Sequence, residues 1–349
     1  MLGAVASLVI GLVVGGTFAY ANHSDRSGPP APGGSPAPTT GPPPAARGGA
    51  VPVPSSGAYL GAYTNSKGVG RRAALTRLEQ QVGRPFDIDH AYYKWNDTFP
   101  TDDDAWTAAQ GRIPLLNWSS LTTDKQPVLW ADIASGKEDA VIDARAADVA
   151  KFGKPLFLAF QHEPGRLVGK GPGKAGTAED YVAAWRHIVT RFRAKGADNA
   201  TFVWILTTYS YDRGAANGKA GPDRMYPGDD VIDWIGVDGY NFYNCPAYRS
   251  RWRSFNQIFE SFYRWAAPHH KPLMVAEWGA QEDPAQPGRK GEWFKQSAQE
   301  LRQMPLIKAV VYFNSAPACP NWIDSTPAAL AGFRSIAKDP YLNTRHRAG

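Results

Sequence analysis

With 349 residues, 43% of them hydrophobic and 20% charged, the chain has apolar material for one large domain or two small ones. Its net charge of +6 is not gathered into a Lys/Arg block in the folded part, which excludes a nucleic-acid module recognised by a basic stripe and leaves solubility or attraction to a polyanionic surface. Cys245 and Cys319 stand without a Cys-x-x-Cys or a Cys/His cluster, which excludes a structural zinc site and leaves either one bridge between neighbouring surface loops or two free thiols.

In chain order, Leu2 to Phe18 is an almost unbroken uncharged apolar run ending in Ala19-Tyr20-Ala21. The pattern predicts a secretory signal cut after Ala21; the run is also long enough to span a bilayer, so an uncleaved anchor over 1–21 is the alternative. Either way the remainder is expected outside the cytoplasm, secreted or held near a cell wall or membrane. Residues 22–57 are rich in Pro, Gly, Ala, Ser and Thr with almost no large apolar side chain, and predict a disordered spacer. The folded domain is expected over 58–345.

From Ala58 onward, short apolar strands alternate with amphipathic helices. The expected strands are Ala58–Tyr63, Phe86–Tyr93, Ile113–Trp118, Pro155–Gln161, Thr201–Leu206, Val231–Val237, Pro272–Ala276 and Ile307–Phe313. Eight such units predict a single α/β domain, a (β/α)₈ barrel. Thr177-Ala178-Glu179-Asp180 forms a capping box ahead of Tyr181, Trp185, Ile188 and Phe192 on one helical face, and Gly196 stops that helix. Ser254 opens a second helix that Pro268 ends; Glu292 to Met304 is a third, and Thr326-Pro327 starts a fourth. Thr207 to Asp230 is glycine-rich and reads as a long loop. An open doubly wound sheet would want a Gly-x-Gly-x-x-Gly turn or a phosphate loop, and neither is in the sequence.

In such a barrel the active-site groups gather where strands end. Strand four runs Leu156-Phe157-Leu158-Ala159-Phe160 into Gln161-His162-Glu163, and strand seven runs Leu273-Met274-Val275-Ala276 into Glu277-Trp278-Gly279. A carboxylate at the lip of an apolar strand costs desolvation energy, and two of them suggest a paired use rather than two loop-tying salt bridges. Glycoside hydrolysis needs such a pair, one to protonate the leaving oxygen and one to attack the anomeric carbon. The chain's 12 tryptophans and 15 tyrosines supply flat faces on which sugars stack, although most are expected in the core.

The barrel resembles glycoside hydrolase family 26, known mainly as β-mannanases. The resemblance rests on His162-Glu163, on Tyr226-Pro227-Gly228-Asp229-Asp230 through Gly236-Val237-Asp238-Gly239-Tyr240-Asn241, on Tyr181, Trp185, Arg186 and His187 leading to Asn199 and Trp204, and on Ala276-Glu277-Trp278-Gly279. It implies a retaining β-glycanase, first an endo-β-1,4-mannanase, with Glu163 as acid/base and Glu277 as nucleophile. It further implies that His162 sits beside the sugar and that Tyr240 donates a hydrogen bond to the nucleophile. Related β-1,3/1,4-glucanases, a β-1,3-xylanase and a non-catalytic carbohydrate-binding barrel are the alternatives. In the family an aromatic side chain closely follows the His-Glu pair; here Pro164-Gly165-Arg166-Leu167 and a Gly/Lys-rich loop follow, with no aromatic until Tyr181. That departure bears on the sugar rather than on the reaction.

Around the pair, Trp118, Trp278, Tyr240 and Asn241 lie at or just past strand ends and are expected to face substrate. His90 would hydrogen-bond a sugar hydroxyl or else be a satisfied barrel-top histidine. Because His162 and Glu163 are adjacent, both reach the site only if the strand has ended or bulges there. A polysaccharide is the expected partner of a monomeric chain, and the mechanism requires no cofactor and no metal. A metal-dependent deacetylase would want His-x-His and a serine hydrolase Gly-x-Ser-x-Gly; neither occurs.

Overall fold

A computed structural model describes residues 49–344, apart from 67, 213–220, 249 and 317–318. Its strands are β1 (Tyr59–Thr64), β2 (Ile88–Tyr93), β3 (Ile113–Trp118), β4 (Leu156–Phe160), β5 (Ala200–Thr207), β6 (Trp234–Asn241), β7 (Leu273–Ala280) and β8 (Ile307–Asn314). Each pairs in parallel with the next, and β8 closes on β1 from Tyr59↔Ala309 to Thr64↔Asn314. The helices are α1 (Arg71–Val82), α2 (Asp102–Ala109), α3 (Trp130–Ala134), α4 (Asp139–Phe152), α5 (Ala178–Ala194), α6 (Thr208–Asp212), α7 (Pro222–Met225), α8 (Phe255–Ala266), α9 (Arg289–Leu301) and α10 (Pro327–Ala337). This is the (β/α)₈ barrel that the alternation predicts.

The alternation of side chains along each strand divides the apolar material into two cores. Ile113, Leu115, Phe157, Ala159, Val203, Ile205 and Trp234 point inward and fill the barrel. Leu116, Trp118, Leu158, Phe160, Trp204 and Leu206, one step out of phase, pack beneath the helices. The interior is tight enough that a Cβ on Gly236 would fall 2.7 Å from the Ile205 side chain, so glycine alone fits there.

The end of the barrel opposite the strand C-termini corrects one domain boundary. Val51 is buried in the inner core, its N–H donates to Thr201 Oγ1 at 2.8 Å, and Tyr59 Oη donates to the Pro52 carbonyl at 2.8 Å. The spacer expected over 22–57 therefore ends before Val51: two valines scattered among small residues suffice to plug a barrel mouth. Residues 1–48, with the expected signal or anchor, lie outside the described residues. Among the described residues no helix is long and apolar enough to cross a membrane.

The caps at Thr177, Ser254 and Thr326 accept hydrogen bonds from the N–H groups of Asp180, Gln257 and Ala329. Helix α9 begins at Arg289, ahead of the expected Glu292. The expected loop 207–230 contains α6 and α7, the latter started by Pro222, and Tyr211 of α6 packs edge-on against Phe262 at 5.3 Å. Cys245 and Cys319 form a disulfide with Cα atoms 5.7 Å apart, tying the β6–α8 loop to the β8–α10 loop.

Candidate active site

The two glutamates reach the same mouth of the barrel by different backbone devices. Strand β4 stops at Phe160. Gln161 (φ 43°) and Glu163 (φ 50°) then take left-handed conformations, which cost energy for residues bearing a Cβ. The surroundings hold them there. Gln161 N–H donates to the Trp118 carbonyl at 2.7 Å, its Oε1 accepts from Ser120 N–H at 2.8 Å, and Glu163 N–H donates to the Ile205 carbonyl at 3.1 Å. The strand has ended, so adjacent His162 and Glu163 are freed from its alternation.

On β7 the device is a bulge. Val237 pairs with Val275 but Asp238 pairs with Glu277, leaving Ala276 as the extra residue. Met274 and Ala276 belong to the inner core. Without the bulge the residue after Ala276 would turn outward; with it, Glu277 enters the site and Trp278 takes the outward place.

Tyr92 Oη donates to Glu277 Oε1 at 2.5 Å, and Tyr240 Oη donates to Glu277 Oε2. His162 Nε2 lies 3.8 Å from Glu277 Oε1. Burial, and then the neighbouring Glu163, push the Glu277 carboxyl up to about 8 against the lowering effect of the two phenols. Burial likewise raises Glu163, with Arg166 acting against it. Asp238, buried one strand over with both carboxylate oxygens unpartnered, is raised well above the ordinary range by burial and by the charges of Glu277 and Glu163. Three carboxyls this close cannot all ionise at neutral pH. Glu277 is the one that accepts two phenolic hydrogen bonds, so the anion belongs there and a proton remains on Glu163. Burial, with Lys94 and Arg166 behind it, lowers His162 to about 4 and keeps the imidazole neutral. Atoms of His162, Asp238 and Glu277 come within 4.8 Å of one another, the span of a metal-ligand set. Both Glu277 oxygens already accept phenolic hydrogen bonds, which suits a carboxylate held in place for attack.

Of the residues singled out from sequence, the structure brings Glu163, Glu277, His162 and Tyr240 together. It does not bring the others to the surface of the site. Trp118 is fully buried beneath the helices, stacked on Trp95 with ring centroids 4.4 Å apart. Trp278 is buried against Phe255, Trp293 and Tyr312. Asn241 is fully buried and accepts from Arg253 N–H at 3.3 Å. Each sits at an outward position of its strand, so each is a packing residue and not a substrate-facing one. His90 points inward but lies one layer down, buried with its ring centroid 4.5 Å from that of Tyr92.

Four groups of the site were given no role from sequence. Tyr92 follows His90 by two residues and Asp238 precedes Tyr240 by two, so inward parity marks both. Tyr63 and Phe313, at the ends of β1 and β8, stack at 4.8 Å, and Tyr63 meets Tyr92 edge-on at 5.0 Å. They give the mouth an aromatic wall beside the nucleophile.

No family model matches the chain. Endoglucanase H of Acetivibrio thermocellus is 30% identical over 288 residues, covering 80% of this chain and 30% of that protein. The β-1,3-xylanase TXYA of a Vibrio species is 27% identical over 205 residues, 53% of this chain and 40% of that protein. The chain thus spans well under half the length of these relatives. Among solved structures, a family 26 β-mannanase of Bacteroides ovatus superposes with a TM-score of 0.56 at 16% identity over 82% of this chain and 90% of that one. Fungal β-1,4-galactanases superpose with a TM-score of 0.58 at 13% identity over 80% of this chain and 100% of theirs. At such identities the superpositions speak for the fold. The resemblance to glycoside hydrolase family 26 is met again in these comparisons, whose members are glycoside hydrolases.

Proposed function

We propose that this barrel is a retaining β-glycanase in which Glu277 is the nucleophile and Glu163 the acid/base. The observation that carries the reading is the asymmetry of the pair: two phenols donate to Glu277, while Glu163 is raised by burial and has no such donor among the described residues. In the first step Glu277 attacks the anomeric carbon as Glu163 gives its proton to the departing glycosidic oxygen. In the second, Glu163 takes a proton from water, which displaces Glu277 and releases the sugar with its configuration retained. Tyr92 and Tyr240 hold the carboxylate in line before attack. Neutral His162 offers a hydrogen bond to the sugar in the cleavage subsite without neutralising the nucleophile.

For the backbone, a β-glucan comes first, ahead of β-1,3-xylan and of the mannan that the family resemblance alone suggests. The support is the endoglucanase similarity over most of the chain and the absence of an aromatic side chain in the segment after Glu163. Endo action follows the same relative. An exported setting is supported by the apolar run before Ala21 and by the disulfide, which persists in oxidising compartments.

The test is reducing-end release from a panel of β-1,4-glucan, mixed-linkage β-glucan, β-1,3-xylan and β-1,4-mannan, with the first-formed anomer followed by proton NMR. Release of β-anomers is expected. Release of α-anomers would mean inversion and remove the nucleophile role; binding with no release would favour a non-catalytic carbohydrate-binding barrel.

A further inference from the structure

The segment that follows the acid/base runs from Pro164 to Gly176, and it contains Arg166, Lys170 and Lys174 but no acidic residue. It is a built structure. A 3-10 turn over Pro164–Arg166 leads into a loop closed by Gly169 N–H to the Gly176 carbonyl at 2.8 Å and by Ala175 N–H to the Leu167 carbonyl at 2.9 Å. Lys174 Nζ donates to the Arg166 carbonyl at 2.6 Å, folding the loop's second arm onto its first. Arg166 and Lys170 remain exposed. Lys94 and Lys125 stand on the adjoining β2 and β3 loops, close enough that Lys125 weakens the charge on Lys94, while Lys94 and Arg166 both bear on His162.

These cations contrast with several paired arginines on the outer helices. Arg72, Arg186, Arg191 and Arg302, on the outer helices, each face a carboxylate within ion-pair distance. Among the described residues no ion pair is made by Arg166, Lys170, Lys94 or Lys125. Leaving Arg166 unpaired beside an acid/base that must keep its proton works against catalysis, since its charge lowers Glu163. A substrate that brings its own negative charge would remove that conflict.

We propose that Arg166 and Lys170, with Lys94 on the loop after β2, form an anion-recognising subsite at the mouth that holds the glutamate pair, and that the substrate is a β-glycan carrying carboxylate or sulfate groups. This rests on the hydrolase reading and names its substrate class. The positive rim raises the local concentration of an acidic polymer, and Arg166 can grip a carboxylate or sulfate through two N–H groups at once. Bound there, the anion shields Glu163 from the Arg166 charge and restores its hold on the proton.

The experiment uses the full chain and three forms of each polymer of the panel: unmodified, lightly O-carboxymethylated, and lightly O-sulfated. At low salt the expected result is a kcat/KM on one or both anionic forms about tenfold above the neutral form, about the worth of one charge-assisted hydrogen bond. Added NaCl should erode the ratio. The double variant Arg166→Gln/Lys170→Gln should bring the ratio near one, a measure from which any general loss of activity cancels. The carboxymethyl and sulfate arms tell which anion is read. Equal or better turnover of neutral polymer, or a ratio that neither salt nor the double variant moves, overturns the proposal while leaving the hydrolase reading intact. If no form is hydrolysed, the hydrolase reading fails, and affinity electrophoresis of the same chain in gels of the three polymers decides the anion subsite by itself.

Discussion

Tyr240 and Tyr92 donate to the two oxygens of one carboxylate, and the charge on Glu277 depends on them. A hydrogen bond to a charged group is worth about 1.5–3 kcal/mol. Tyr240→Phe should therefore lower kcat/KM by roughly ten- to a hundredfold and move the acid limb of the pH–rate profile upward, because the nucleophile then holds its proton to higher pH. An unmoved acid limb would mean that Tyr240 only shapes the pocket. Trp118 is the opposite case. Its expected contact with substrate is replaced by a place under the helices, so Trp118→Ala should cost about 3–5 kcal/mol in denaturant unfolding. A stable variant with only a raised KM would return it to the site. Tyr240 was marked directly, and Tyr92 and Asp238 were legible by parity, since each lies two residues from a residue the sequence had already marked. Trp118 was legible as an outward residue too, because Leu115 and Asn117 take the inward places. Trp278 was not, because its direction depends on a bulge at Ala276 that no local pattern announces.

At the scale of elements, the eight strands and most helix caps follow from alternation and capping chemistry that act within a few residues. What escaped depends on distant partners. Val51 is buried because Thr201 and the inner core receive it, and α6 exists because Phe262 and Trp265 cover Tyr211. Removing residues through Gly57 should thus cost stability that removing residues through Gly48 does not, by about 1.5–3 kcal/mol for the Val51 side chain alone. Equal melting temperatures for the two truncations would show the plug to be idle. The disulfide closes a sequence separation of 74 residues across the loops beside Tyr240 and Asn314. Loop-closure entropy in the unfolded chain assigns such a bridge about 4 kcal/mol. Cys245→Ser should accordingly lower the melting temperature by several degrees, with reductant having no further effect on the variant. Whether these two cysteines pair could not be read from spacing, since it is set by the meeting of two loops that are neighbours only once the barrel has closed.

For the whole molecule, a catalytic pair with a buried nucleophile makes stability and activity respond to pH in linked ways. Glu277 is raised in the folded state to about 8 from an ordinary 4.5. A carboxyl raised on folding favours the fold when protonated, and that advantage is lost as pH rises from 4.5 through 8. Glu277→Gln should therefore gain on the parent enzyme in urea unfolding as pH rises across that window, by up to about 5 kcal/mol, with the difference closing near pH 4.5. A constant difference across the range would contradict the raised carboxyl. His162 acts on the acid side with the opposite sign. Held near 4 in the fold, it costs stability as pH falls from about 6.5 toward 4, because the unfolded chain takes up that proton first. The fold thus keeps a neutral imidazole and a shared carboxyl proton together in one mouth, which is the state the double displacement needs.

That requirement comes to a point at Glu277. In the Glu277→Ala variant, turnover of an aryl β-glycoside with a good leaving group should vanish, and added azide should restore it by occupying the vacated place, yielding the α-glycosyl azide. Normal turnover without azide, or rescue that yields the β-glycosyl azide, would contradict Glu277 as the nucleophile.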